Sequence, residues 1–330
     1  MTMNSCRRFF CIAGLWLLAI LAAIPAQAQT EPYPSKPVRI ISDSAAGSTP
    51  DVVVRLIADQ LGQMWGQQVV VVNYPGAGGS LAARNAADAP PDGYTLYMPV
   101  LSTFVSLPSA APNLPIEVPR DFTAIGFTAE NPMFFAIAPT LGVSSMSELI
   151  GRAKQRPDQI SCAVTGIGRL THLTAELLQS RTGIKLLSVP YTGGPAHAIG
   201  DVVSGRVDFI IEGYSGIAGA VQSGAINAIA VAAEQRLAEF PGLPTVAETV
   251  PGFSATGWQV LVAPPGTPEA IINKVSEDLR QVVTDPDLTK KIAVRGSYTR
   301  AMSPAEATAF VQAEQRKWRP ALERFAAKPN

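Results

Sequence analysis

Short apolar runs, loops of small residues and helical stretches follow one another in that order several times along this chain, and this order restricts the fold more than any other feature. Residues 38–41, 69–72, 95–98, 134–138, 160–164, 186–189, 207–211 and 257–263 read as strands, being short, β-branched or apolar, and bounded by turn residues. The run 69–72 is four valines, as expected of a strand buried on both faces. Helical spacing is clearest in 52–64, where Val53, Leu56, Ile57 and Leu61 share one face. Further helices are expected over 81–87, 146–154, 170–180 and 198–204, with two amphipathic helices, 269–283 and 304–325, closing the chain. Ser144 or Ser145 starts the helix at 146, with Glu148 placed for a capping box. Strand–loop–helix alternation of this kind implies a parallel sheet covered on both faces, in two α/β units.

The loops carry the chemistry. Ser44-Ala45-Ala46-Gly47-Ser48-Thr49-Pro50-Asp51, Pro75-Gly76-Ala77-Gly78-Gly79-Ser80, Thr165-Gly166-Ile167-Gly168 and Tyr191-Thr192-Gly193-Gly194-Pro195 each join a strand to a helix. In an open α/β sheet, ligands bind beyond the carboxyl ends of the strands. Helix N-termini there present backbone N–H groups and partial positive charge, which suit an anion. Asp51 is placed to cap or complete the first turn of its helix.

Several other functions lack their signatures. After Gly76 and Gly78 the third glycine of a dinucleotide loop is replaced by Leu81, and after Gly166 and Gly168 by Thr171. There is no glycine–lysine phosphate loop and no nucleophile elbow. The only two histidines, His172 and His197, each follow a glycine-rich loop. A hydrolase would need one of them beside a nucleophile such as Ser48 or Ser80 and an orienting acid. A histidine bonded within its own loop, or lining a pocket, is the plainer reading. No catalytic residue, metal site or cofactor is therefore assigned. With 26 basic against 26 acidic side chains, there is no basic excess for a nucleic-acid partner.

The first 28 residues read as a secretory leader. Arg7 and Arg8 precede a thirteen-residue apolar run, 12–24, too short to span ~30 Å of hydrocarbon. Ala26-Gln27-Ala28 then supplies an A-x-A cleavage site, so the mature chain would begin at Gln29 in the periplasm. Adjacent arginines leave both the general and the twin-arginine export routes open. Cleavage removes Cys6 and Cys11 and leaves Cys162 without an internal partner.

Taken together, these loops and their flanks resemble the Bug-type substrate-binding proteins, extracytoplasmic receptors of tripartite tricarboxylate transporters. The similarity runs over the whole mature chain. It includes Tyr33-Pro34-Ser35-Lys36-Pro37, the loop Gly47 to Asp51, Asn73-Tyr74-Pro75-Gly76-Ala77-Gly78-Gly79 and Pro91-Asp92-Gly93-Tyr94-Thr95-Leu96. Later come the Thr165 loop with His172-Leu173, Val189-Pro190-Tyr191-Thr192-Gly193-Gly194, Leu243-Pro244-Thr245-Val246-Ala247-Glu248, Ala263-Pro264-Pro265-Gly266-Thr267-Pro268 and Lys317-Trp318. Each motif alone is weak; their order and spacing are specific.

The resemblance implies a type II-like periplasmic-binding-protein fold, a Venus flytrap of two doubly wound α/β lobes joined by a hinge. Residues 29–131 and 254–330 would form lobe 1 and residues 132–253 lobe 2. It implies a monomer that captures a small organic acid or amino-acid-like ligand and delivers it to transporter membrane subunits. A sensory protein serving a two-component pair would share this fold and pocket. By position, the resemblance makes Gly47, Ser48, Thr49, Asp51, Ala77, Gly78 and Gly79 ligand-binding in lobe 1. In lobe 2 it assigns Thr165, Gly166, His172, Tyr191, Thr192, Gly193 and Gly194.

Departures from the family pattern bear on the ligand. Asp43-Ser44 stands where Pro-Phe is usual, and Arg169 where a small polar residue is usual. Glu212 follows the strand 207–211, from where a side chain can reach the ligand. If Asp43, Arg169 and Glu212 line the pocket, a monocarboxylate, or one also bearing an amine or hydroxyl, fits better than a citrate-like ligand. A like charge at ~4 Å in a partly desolvated cleft costs several kcal/mol, more than a neutral hydrogen bond at ~1 kcal/mol returns.

Overall fold

The computed structural model describes residues 32–105 and 116–326. The expected leader lies outside these residues, as does 106–115 of the proline-rich stretch after residue 101. Residues 32–35 contain bends and neither helix nor strand.

From Lys36 onward, nine strands form one mixed sheet: β1 (Val38–Ser42), β2 (Val69–Asn73), β3 (Thr95–Met98), β4 (Thr123–Ile137), β5 (Ile160–Val164), β6 (Leu186–Pro190), β7 (Phe209–Gly213), β8 (Asn227–Val231) and β9 (Thr256–Ala263). Their order is β2-β1-β3-β9-β4-β7-β5-β6, with β8 also paired to β4. Among the described residues ten α-helices accompany them: α1 (Thr49–Trp65), α2 (Ser80–Ala87), α3 (Leu101–Val105), α4 (Met146–Gln155), α5 (Leu170–Thr182), α6 (Pro195–Val203), α7 (Tyr214–Gln222), α8 (Glu269–Thr284), α9 (Pro286–Ala293) and α10 (Pro304–Ala326).

The fold is of the periplasmic-binding-protein type, α/β throughout, and β4 is its long shared element. Its first part pairs antiparallel with β9, ending at Pro132↔Thr256. From Met133 onward it pairs instead with β7 and β8. The change occurs between Pro132 and Met133. Proline lacks the N–H that a continuous ladder would need, and the Met133 N–H bonds to the carbonyl of Ala255 at 3.0 Å.

Each half of the sheet has its own core. On the β1 side, Ile41, Tyr97, Phe122, Phe127 and Val262 pack with Ala307 and Val311 of α10. On the β5 side, Phe135 and Ile137 face a core with Leu149, Cys162, Leu178 and Phe209. Their neighbours Phe134 and Ala136 face the opposite layer with Val202, Ile210 and Ile217. Because both faces are covered, this strand reads as a continuous apolar run rather than an alternating one.

Several sequence expectations need correction. β2 is the edge strand, and Val70 is 45% exposed, so four consecutive valines did not signal burial on both faces. The sheet is mixed rather than parallel, because β4, β8 and β9 run against their neighbours. The strand expected at 207–211 is Phe209–Gly213, so Glu212 lies inside β7. The first half of β4, helix α7, strand β8 and helix α9 are not among the elements expected from sequence, although Leu288 and Ile292 give α9 a buried i,i+4 pair. The helix at Met146 starts as expected: Ser145 Oγ accepts from the Glu148 N–H at 3.2 Å, and Glu148 accepts from the Ser144 N–H at 2.7 Å.

Candidate functional site

A pocket of about 90 Å³ lies at the carboxyl ends of β1, β5 and β7, beside the point where β4 changes partners. Loops and strand ends from both halves of the sheet line it. From the β1 side come Ser44, Ala45, Ser48 and Pro50, and from the start of α3 Leu101 and Ser102. The β5 side contributes Thr165, Arg169, Leu170 and Thr171; the loop after β6 contributes Thr192 and Gly194, and β7 contributes Glu212. Asn131, Met133, Gly257 and Trp258 of the crossing strands form its floor.

Of the residues expected from sequence, Ser48, Thr165, Arg169, Thr192, Gly194 and Glu212 line this pocket. The others lie around it in distinct positions. Asp51 is buried and braces its loop, accepting from the Gly47 N–H at 2.9 Å, Asn73 Nδ2 at 2.7 Å and Arg55 Nε at 3.0 Å. Thr49 is fully buried, its Oγ1 accepting from the Gly216 N–H at 3.1 Å and so joining the starts of α1 and α7.

Ala77, Gly78 and Gly79 form a 3-10 turn outside the pocket. Gly79 has φ +104, and a Cβ there would meet Thr103 Oγ1 at 2.7 Å, so close packing explains the glycine. Gly166 and Tyr191 also lie off the lining; Tyr191 donates to Asp201 at 2.6 Å. His172 Nδ1 accepts from the Gly168 N–H at 3.3 Å, within its own loop. His197 packs against Gly193, where a Cβ would stand 3.0 Å from its ring.

The three charged residues occupy different environments. Asp43 has no exposure and does not line the pocket; its carboxylate lies behind it. It accepts from Thr103 Oγ1, from the Tyr97 hydroxyl at 3.4 Å and from the Val100 N–H at 3.3 Å. Burial raises its carboxyl above the usual range, while the Arg169 charge and these donors pull it down. Arg169 reaches across from the β5 side. Its Nη1 lies 3.9 Å from Asp43 Oδ2 and donates to Ser102 Oγ at 3.3 Å, and its Nη2 donates to the Asp43 carbonyl.

Glu212 is 4% exposed, and burial pushes its carboxyl up to about 7, against the opposing pull of the Gly213 and Thr49 N–H groups. Among the described residues, no ion pair engages it.

Helix starts supply the remaining donors. α1 begins at Thr49, where the Glu212 carboxylate meets the first backbone N–H. α5 begins at Leu170 with no side-chain cap, and Leu170 and Thr171 both line the pocket. Trp258 closes the floor with an apolar ring: its Nε1 points away, donating to Glu314 of α10 at 3.0 Å. Among the described residues, no cluster of His, Cys, Asp and Glu is placed to hold a metal ion.

The lining residues that sequence reasoning missed differ in how visible they were. Ser44, Ala45 and Pro50 belong to a loop already singled out, and Leu170 and Thr171 directly follow Arg169. Ser102, Asn131 and Trp258 carried no local signal and enter only through the packing of β4, β9 and α3.

A two-sided cleft of this kind, at a strand crossing and lined by hydroxyls and helix starts, defines a bilobal solute-binding protein. Residues 53–326 match the tripartite tricarboxylate transporter family receptor model, and the chain belongs to that family. BugT of Bordetella pertussis is 30% identical over 97% of this chain and 98% of its own length. A Rhodopseudomonas palustris protein solved with adipate is 29% identical over 88% of this chain and 97% of its own, with a TM-score of 0.84. MatC from the same species, solved with bound malate, is 28% identical over 88% of this chain and 100% of its own, with a TM-score of 0.79. The family is one of transporter receptors. Among the described residues no helix is long and apolar enough to cross a membrane.

Proposed function

We propose that this protein is an exported receptor that binds a small carboxylate in the cleft between its two lobes and presents it to the membrane subunits of a tripartite transporter. The observation that carries this reading is the start of α5, which no side chain caps: Leu170 and Thr171, its first residues, line the pocket beside the Arg169 guanidinium and the Ser102 hydroxyl. A carboxylate is the ligand group that matches donors of this kind. The relatives solved with adipate and malate support the same class.

In this reading lobe 1 comprises residues 29–131 and 254–330, and lobe 2 residues 132–253. The change of partners in β4 supports a hinge at Pro132–Met133, where few strands cross. Arg169 and Gly194 already meet the Asp43–Ser48 loop, so opening about such a hinge would part these contacts and admit the ligand. The mature protein begins at Gln29, acts as a periplasmic monomer and carries out no chemistry on its ligand.

The test is a thermal-shift screen of the mature protein against a library of small carboxylates, with each mixture then analysed for products. Stabilisation by one or more carboxylates with the ligand recovered intact is the expected result. Product formation abolished by His172→Ala would overturn it in favour of an enzyme. A general lack of binding would overturn the receptor reading itself.

A further inference from the structure

The charges around the pocket do not balance. Arg169 is matched by Asp43 directly behind it, a pair of zero net charge that spans the cleft. Glu212 has no such match. The groups that meet it are the Thr49 N–H of α1, the Gly213 N–H of its own strand and Gly216 of α7, where an added Cβ would stand 2.9 Å from its Cγ. Its register partner in β4 is Phe134. None of these carries a charge, and among the described residues that line the pocket Arg169, backed by Asp43, is the one other charged side chain.

The two helix starts beside the pocket therefore differ in what meets them. At one, the start of α1 is already met by a protein carboxylate, that of Glu212. At the other, the start of α5 has no side-chain cap, and Ser102 Oγ, which accepts from Arg169, keeps its own proton to donate. The lining also carries apolar groups: Pro50, Leu101, Met133, Leu170 and the Trp258 ring, whose N–H is committed to Glu314.

We infer that the ligand of this cleft is a zwitterion whose carboxylate and protonated amine are separated by an apolar spacer, and that Glu212 is the residue that selects the amine. This rests on the carboxylate-receptor reading above and narrows it. A dicarboxylate would set its second carboxylate against the buried Glu212, so one of the two would have to take up a proton. A hydroxyl could bond to Glu212 but would leave its charge uncompensated. An ammonium group supplies both the donor and the charge. Burial has already raised the Glu212 carboxyl to about 7, so its charge is poorly tolerated there and gains most from a cation. A pocket of about 90 Å³ holds roughly six to nine water-sized centres at about 10–15 Å³ each, the size of a short ω-amino acid.

The test is calorimetric titration of the mature protein with four ligands of matched length: 5-aminopentanoate, 5-hydroxypentanoate, pentanoate and pentanedioate. It is repeated with the three- to six-carbon homologues of each and with adipate and malate. Wild type should bind one of the amino acids at least about tenfold more tightly than its matched acid, hydroxy acid and diacid. Glu212→Gln, which keeps the shape and a hydrogen-bonding end but not the charge, should erase that preference. In wild type, amino-acid affinity should rise between pH 6 and 8 as Glu212 ionises, and the rise should be absent from Glu212→Gln.

If that variant does not fold, the wild-type selectivity and pH slope still decide the matter. A diacid or plain acid bound by wild type as tightly as the amino acid would overturn this inference and leave the carboxylate receptor intact. Absence of binding by every probe at about 1 mM would overturn both.

Discussion

Arg169 on the β5 side of the cleft holds Asp43 on the β1 side: its Nη1 lies 3.9 Å from Asp43 Oδ2, and its Nη2 donates to the Asp43 carbonyl oxygen. Asp43 is fully buried, and the Arg169 side chain is 12% exposed. Removing one member of such a pair leaves a buried charge without its counter-charge. Arg169→Met should therefore destabilise the unliganded protein by about 3 kcal/mol. Asp43→Asn in the same background should recover part of that loss, because an amide needs no counter-charge and can still accept from Thr103 and Tyr97. Urea unfolding of the single and double variants measures both. A double variant less stable than Arg169→Met would argue that the pair is incidental.

Glu212 predicts a signed pH dependence. Its folded-state value, about 7, lies above the ordinary 4.5, so the stability linked to its neutral form is fully present below pH 4.5 and is lost as pH rises through 7. Allowing for relaxation around the charge, the loss should be about 1–3 kcal/mol. Asp43, also raised, acts in the same direction in every variant that retains it. The comparison is urea unfolding of wild type and Glu212→Gln at pH 5 and pH 8. The variant should lose less stability over that interval; parallel losses would refute the assignment.

Gly194 is one place where the two sides approach tightly. Its φ is +95, and a Cβ there would stand 2.7 Å from the Ala45 Cβ. Gly194→Ala should cost about 1–3 kcal/mol in backbone strain and contact, expressed as a cleft that closes poorly. Ala45→Gly in the same background relieves the contact but not the φ, so it should restore binding only in part. Thermal melts and ligand titrations read this out; full rescue would assign the whole effect to the contact.

Trp258 should report ligand binding. Its ring lines the pocket, whereas Trp65 and Trp318 do not, their indole N–H groups bonding to Asp278 and Glu314. A ligand-induced change in emission should survive Trp65→Phe and vanish in Trp258→Phe. Trp258→Phe also gives up one hydrogen bond to the Glu314 carboxylate, a loss of about 1–2 kcal/mol. A signal that persists in Trp258→Phe would move the ligand away from this floor.

The elements legible in the sequence share a physical reason. β3 and β5 match their expected residues because each is a short apolar run closed by turn residues. Helices α1, α8 and α10 show a 3.6-residue stripe because one face alone is buried. The first half of β4 was not legible. Thr123 to Pro132 shows no alternation, and its partner β9 lies more than a hundred residues away in sequence. The edge position of β2 was equally hidden, since four valines read the same at an edge as in a centre.

By itself, the sequence determined the α/β alternation, the loops that gather at the strand ends, and the kinds of polar group those loops bring. These follow from local propensity, glycine geometry and helix starts, which neighbours in sequence decide. Only the tertiary structure decided which of them share a pocket. Asp43 and Asp51, both in the first loop region, are committed to Thr103, Arg169, Gly47 and Asn73, and neither lines the pocket. Glu212, equally acidic in sequence, lines the pocket without a cation to pair with. That difference arises because desolvation and pairing depend on groups brought together from distant parts of the chain, which the order of residues along any one loop does not encode.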